Sequence, residues 1–132
     1  MKSTLLLLAL CVTAHAAPPD NFFRALHIVE TSGKLGPTLG DYVNGKPQAL
    51  GPLQIHRSYH KDSRVAGDYS RCADLEYSKK VATAYLKRYA PQAWAAGTDI
   101  ETLARVHNGG PKGATKNATK GYAVRVQAFM KK

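Results

Sequence analysis

Residues 20–46 read DNFFRALHIVETSGKLGPTLGDYVNGK, a helix pattern, a glycine stop and a hairpin signal in succession. Phe22, Phe23, Leu26 and Val29 recur at helical spacing behind Asp20, an acid suited to capping a helix start. Gly33 stops this helix, so Glu30 falls in its last turn. Residues 34–50 are rich in Gly and Pro. Within them Asn44-Gly45 stands between two possible short strands. That dipeptide favours a two-residue hairpin, because both central residues must take positive φ. A helix that feeds a small β element of two or three strands predicts an α+β domain.

Outward from this stretch the pattern is mostly helical. Gly51-Pro52 predicts the opening of a second helix, with Leu53, Ile55, His56 and Tyr59 on its apolar side. Residues 73–89 are the strongest helical segment, with Leu75, Val81, Ala82, Tyr85, Leu86 and Tyr89 at threes and fours, ended by Pro91. Thr98-Asp99-Ile100-Glu101 reads as a capping box before a helix to about His107. Gly109-Gly110-Pro111 breaks it. A last helix runs from Thr119 to Met130, offering Tyr122, Val126, Phe129 and Met130 to the core.

The whole chain has 132 residues, which predicts one folded domain. Its N-terminus reads as a secretory signal over residues 1–16. Lys2 precedes the apolar run from Leu5 to Val12, and Ala14-His15-Ala16 supplies small residues for cleavage. A lipid-attachment reading of Cys11 is disfavoured by the bulky Leu10 before it. The expectation is a secreted or periplasmic protein whose domain is residues 17–132. It would carry Cys72 alone and so no intrachain disulfide, and Cys72 reads as a small buried hydrophobe. No apolar run is long enough to span a bilayer, so no stable membrane insertion is expected. Lys and Arg number 19 against 9 Asp and Glu. A cationic exported protein is drawn to anionic polymers, and nothing in the pattern marks nucleic acid as the partner.

Among the few carboxylates, Glu30 stands out. It follows the apolar Leu26-His27-Ile28-Val29 at a helix C-terminus, where the helix dipole disfavours the charged form of an acid. That suits a proton donor. Asp41 follows at the start of the hairpin, so a helix end, a loop and a hairpin could fold the two acids across one cleft. Glycoside hydrolysis needs such a pair, one acid to protonate the leaving oxygen and one anion to attack or stabilise the anomeric centre. Spacing alone leaves open the alternative of a solvated helix-end acid and an inert turn former. No metal, P-loop, dinucleotide or GxSxG signature is present, and no cofactor is expected.

Three segments together resemble the invertebrate-type lysozyme (destabilase-like) family. They are Ile28-Val29-Glu30-Thr31-Ser32-Gly33; Gly51-Pro52-Leu53-Gln54-Ile55 followed by Tyr59 and Asp62; and Ala104-Arg105-Val106-His107-Asn108-Gly109-Gly110-Pro111-Lys112-Gly113. The resemblance implies a lysozyme-like fold, a helical body and one small β hairpin flanking a cleft. It implies Glu30 as proton donor and Asp41 as nucleophile or electrostatic partner. It implies hydrolysis of the β-1,4 bond between N-acetylmuramic acid and N-acetylglucosamine, with retention. The substrate would be peptidoglycan or a chitin-like glycan, met by a bacteriolytic monomer. His56, Tyr59, Asp62, Tyr85, His107, Asn108 and Gly109 become candidate sugar contacts. Tyr59 and Tyr85 read equally well as core aromatics, and Asn108-Gly109 as a helix C-cap.

Departures from the family pattern qualify what carries over. Animal members are rich in disulfides, and the cysteine-poor sequence points to a bacterial relative. His60 replaces a family Trp, which would weaken sugar stacking. Some relatives are credited with isopeptidase activity through a serine near the hairpin; Asn44 stands near that position here, so that activity does not carry over. Two other readings compete: a lytic transglycosylase, against which Asp41 argues, and a cationic wall-binding protein without turnover.

Overall fold

The computed structural model describes residues 16–132. The predicted signal segment lies outside these residues except for Ala16, and Cys11 lies outside them too. Six α-helices and one three-stranded antiparallel sheet are found among the described residues. Helix α1 spans Asp20–Thr31. The sheet follows as β1 (Leu39–Val43), β2 (Lys46–Leu50) and β3 (Ile55–His56), in that spatial order. Then come α2 (Arg57–Ser63), α3 (Leu75–Tyr89), α4 (Pro91–Ala96), α5 (Ile100–Gly109) and α6 (Lys120–Met130). The mostly helical α+β class is as the sequence predicts.

Helix α1 ends where expected, but Ser32 makes the turn. Ser32 (φ +56) is the left-handed cap, and its N–H and that of Gly33 donate to the carbonyls of Ile28 and His27. Asp20 is not the cap. Pro19 holds that position, and Asp20 lies in the first turn, where its charge complements the helix dipole. The hairpin forms at Asn44-Gly45 with both φ positive, at +50 and +73. Leu39 pairs with Leu50, and Val43 with Lys46.

The second helix starts later than Gly51-Pro52 predicts. Gly51 (φ +83) and Gln54 (φ +50) are both left-handed, which no α-helix accepts. Gly51 is required there: a Cβ would lie 1.7 Å from the Cys72 carbonyl oxygen. The chain therefore turns, buries Leu53 completely, pairs Ile55 and His56 with β2, and only then becomes α2. The helix after Thr98 is capped by Asp99, whose Oδ1 accepts from the Thr102 N–H at 3.2 Å. Glu101 pairs with Arg105 at 3.0 Å instead of reaching back, so no capping box closes. Pro91 ends α3 and also opens α4, at the first helical position where proline costs nothing.

The core is one cluster. Phe22 and Leu26 of α1, Val81 and Leu86 of α3, Leu103 and Val106 of α5, and Val126 of α6 are essentially inaccessible to solvent. Helix α6 packs against both α1 and α5, and this brings the end of α1 beside the end of α5. Arg105, nearly buried, fixes the segment after α5. It donates to the Thr119 hydroxyl at 3.0 Å and the Lys116 carbonyl at 2.9 Å. Gly113 permits this approach, since a Cβ would sit 2.0 Å from the Arg105 carbonyl oxygen.

Candidate active site

An open groove of about 330 Å³ separates the helical body from the sheet. Glu30 enters it from the end of α1, Asp41 from β1, and His56 from β3. Tyr59 of α2 and His107-Asn108 of α5 form the opposite wall. The two acids singled out in the sequence therefore share one cavity, as do four of the seven candidate sugar contacts.

Glu30 is held, not solvated. Its side chain is 18% exposed. The Tyr122 hydroxyl donates to Glu30 Oε1 at 2.6 Å. His107 Nε2 lies 3.5 Å from the same oxygen, an electrostatic contact longer than a good hydrogen bond. Both contacts fall on Oε1 and neither on Oε2. Burial, and then the Glu30 charge, push the Tyr122 phenol well above its ordinary range, so this donor stays protonated.

His107 is itself anchored. Its Nδ1 lies 2.9 Å from the Tyr59 hydroxyl. Burial, then the neighbouring Tyr85 and the Glu30 charge, hold Tyr59 protonated far above pH 10. Tyr59 stacks on Tyr85 at 3.6 Å between ring centres. The Tyr59 contact occupies Nδ1, so Nε2 is the ring nitrogen that faces Glu30. His107 thus links Glu30 to Tyr59, its side chain only 3% exposed. Tyr59→Phe is expected to move the His107 ring-nitrogen signals in nitrogen-15 NMR, and an unchanged spectrum in that variant would refute the anchoring contact.

Asp41 sits at φ +52, unusual for a residue with a side chain, and midway along β1. The ladder pairs Gly40 with Ala49 and Tyr42 with Pro47 on either side of it. The left-handed residue turns the carboxylate away from the regular strand direction, and His56 Nε2 meets its Oδ2 at 2.9 Å. Gln54 fills the space over Gly40, where a Cβ would lie 2.1 Å from the Gln54 amide oxygen. The Gln54 amide donates to the Thr38 and Gly51 carbonyls, both at 3.0 Å. This fixes the hairpin root from which Asp41 projects.

Other candidates fall elsewhere. Tyr85 and Gly109 line a smaller hollow of about 200 Å³ that continues past Tyr59 and Asn108 to Gly110. Tyr85 is 3% exposed, and burial pushes its phenol up to about 12. Its ring is the one stacked on Tyr59. Asn108 is exposed on the groove, whereas Gly109 is the last helical residue and Gly110 (φ +85) is the cap. Asp62 does not line the groove. It lies a turn further along α2, where its carbonyl receives Arg88. His60 is turned the other way, bonded to the Tyr77 hydroxyl at 2.8 Å and edge-on to Tyr69, so it takes no stacking position in the groove. Sequence periodicity assigned Tyr122 to the core. Its hydroxyl reaches Glu30 across 92 residues, a contact that no local pattern signals.

No family model matches the chain. It is 36% identical over 92 residues to lysozyme 1 of Crassostrea virginica, a match covering 68% of the chain and 50% of that protein. It is 39% identical over 85 residues to invertebrate-type lysozyme 6 of Caenorhabditis elegans, covering 56% of the chain and 62% of that protein. The chain thus spans about half to three-fifths of the length of these curated relatives. The crystal structure of Tapes japonica lysozyme superposes with a TM-score of 0.68 at 27% identity, covering 86% of the chain and 92% of that structure. The fold is lysozyme-like.

Proposed function

We propose that the chain is an invertebrate-type lysozyme, exported from the cell, that hydrolyses the β-1,4 bond between N-acetylmuramic acid and N-acetylglucosamine in peptidoglycan. The observation that carries this reading is the convergence of Glu30 and Asp41 on one groove, each fixed by partners from distant parts of the chain. The likeness to named lysozymes in sequence and fold supports it. Among the described residues no helix is long and apolar enough to cross a membrane.

In this mechanism Glu30 Oε2 gives its proton to the glycosidic oxygen as the bond to the anomeric carbon breaks. Asp41, an anion directed by His56, meets the positive charge that develops on that carbon or bonds to it. Water then enters, and Glu30, now a carboxylate, takes its proton back from that water. The anomeric configuration is retained. His107 and Tyr122 keep Oε1 engaged throughout, so that Glu30 does not need to search for its orientation during the reaction.

Mass analysis of the products from purified peptidoglycan tests the reaction. The expected fragments end in reducing N-acetylmuramic acid, heavier by one water than anhydro sugars. Anhydro ends would instead identify a lytic transglycosylase. Binding without any fragments would identify a wall-binding protein.

A further inference from the structure

The groove does not stop at His56. Beyond that residue a second hollow, of about 390 Å³, is walled by Lys46, Gln48, Arg57 and Ser58, with His56 common to both cavities. Lys46 opens β2 and Arg57 opens α2. The antiparallel pairing of Ala49 with His56 brings these two starts together. No acid lines the hollow. Among the described residues neither Lys46 nor Arg57 has a carboxylate within ion-pair distance. The Arg57 guanidinium rests over the Tyr69 ring at 4.5 Å, which fixes its stem and plane. Arg57 also lines a separate hollow together with Asp68. The Asp68 carboxyl is held below the usual range first by the Ser70 amide and hydroxyl, and only secondarily by the Arg57 charge.

Two cations in a concave site, neither of them in an ion pair among the described residues, concentrate positive potential beside the catalytic groove. One is a planar guanidinium, whose paired N–H groups match a carboxylate. A neutral N-acetylglucosamine polymer has nothing to offer there. A strand containing N-acetylmuramic acid carries a carboxylate, or a peptide with carboxylates, on the lactyl ether of every second sugar. We propose that the Lys46–Arg57 hollow is an anion subsite that receives this carboxylate-bearing substituent and selects acidic glycans over neutral ones. This rests on the groove being the glycan site proposed above, and it names the substrate class that the groove prefers.

The test separates binding from turnover by using full-length Glu30→Gln protein, which retains ligand without cleaving it. Calorimetry compares tetra-N-acetylchitotetraose with a tetrasaccharide of alternating N-acetylglucosamine and N-acetylmuramic acid. The expected result is a preference of roughly tenfold for the acidic sugar, shrinking as salt is added. Adding Lys46→Gln and Arg57→Gln together removes that preference. Lys46→Gln alone, at an exposed position with no side-chain partner among the described residues, removes part of it without disturbing the Tyr69 stack. Equal affinities in the Glu30→Gln protein, a preference that survives the double replacement, or failure of both sugars to bind would each overturn the subsite. Should the wild-type chain cleave nothing while the preference is present and lost as described, the hydrolase reading fails and the subsite stands.

Discussion

Glu30→Gln is expected to lower peptidoglycan cleavage by about 10²–10⁴-fold while leaving the fold intact. The substitution removes the transferable proton and little else. The amide oxygen of Gln can still accept the Tyr122 hydroxyl, which now meets Oε1 at 2.6 Å. The side chain has the same length, and the left-handed cap at Ser32 is untouched. Turbidity of a wall suspension reports the loss, and circular dichroism with a thermal melt reports the fold. Wild-type lysis by a folded Glu30→Gln protein would remove Glu30 from the chemistry, and the proposed mechanism with it. Chemical logic also predicts a steep loss rather than a graded one. A leaving alkoxide without a proton is poor at neutral pH, and no other carboxylate lines the groove except Asp41.

The helix containing Glu30 is legible in the sequence because its signals are local. Phe22, Leu26 and Val29 mark one face, and Ser32-Gly33 allows the left-handed stop, so the position of the acid follows from a dozen residues. Asn44-Gly45 is legible for the same reason, since a two-residue turn with positive φ admits few residue types. The stretch from Gly51 to Gln54 is misleading on its own, as glycine then proline resembles a helix opening. What excludes that reading is the Cys72 carbonyl packed against Gly51, a contact 21 residues away that periodicity does not carry. The partners of Glu30 are illegible in the same sense. Tyr122, His107 and Tyr59 all look like core aromatics or motif residues by spacing. Only the packing of α6 on both α1 and α5 converts them into a hydrogen-bonded support for one carboxyl group. The family resemblance suggests sugar contact for His107 and Tyr59; both line the groove, and both are nearly buried as well.

Asp41 poses a different problem, because its backbone and its charge are both unusual. A residue at φ +52 costs the chain conformational energy, and asparagine tolerates that region about as well as aspartate does. Asp41→Asn therefore keeps the hairpin geometry and deletes the charge, whereas alanine would alter both. His56 Nε2, 2.9 Å from Oδ2, can still find an amide oxygen in the variant. The expected loss in turnover is about 10²–10³-fold, the range for removing a preorganised electrostatic partner of a developing charge. The melting temperature is expected to change little, since the side chain is 59% exposed and its one ion pair is half in solvent. A melting shift of many degrees with turnover retained would mean that Asp41 shapes the hairpin and does no chemistry. Loss of turnover at unchanged stability would mean that the left-handed backbone at Asp41 serves to aim a charge, and that its conformational cost is borne for catalysis.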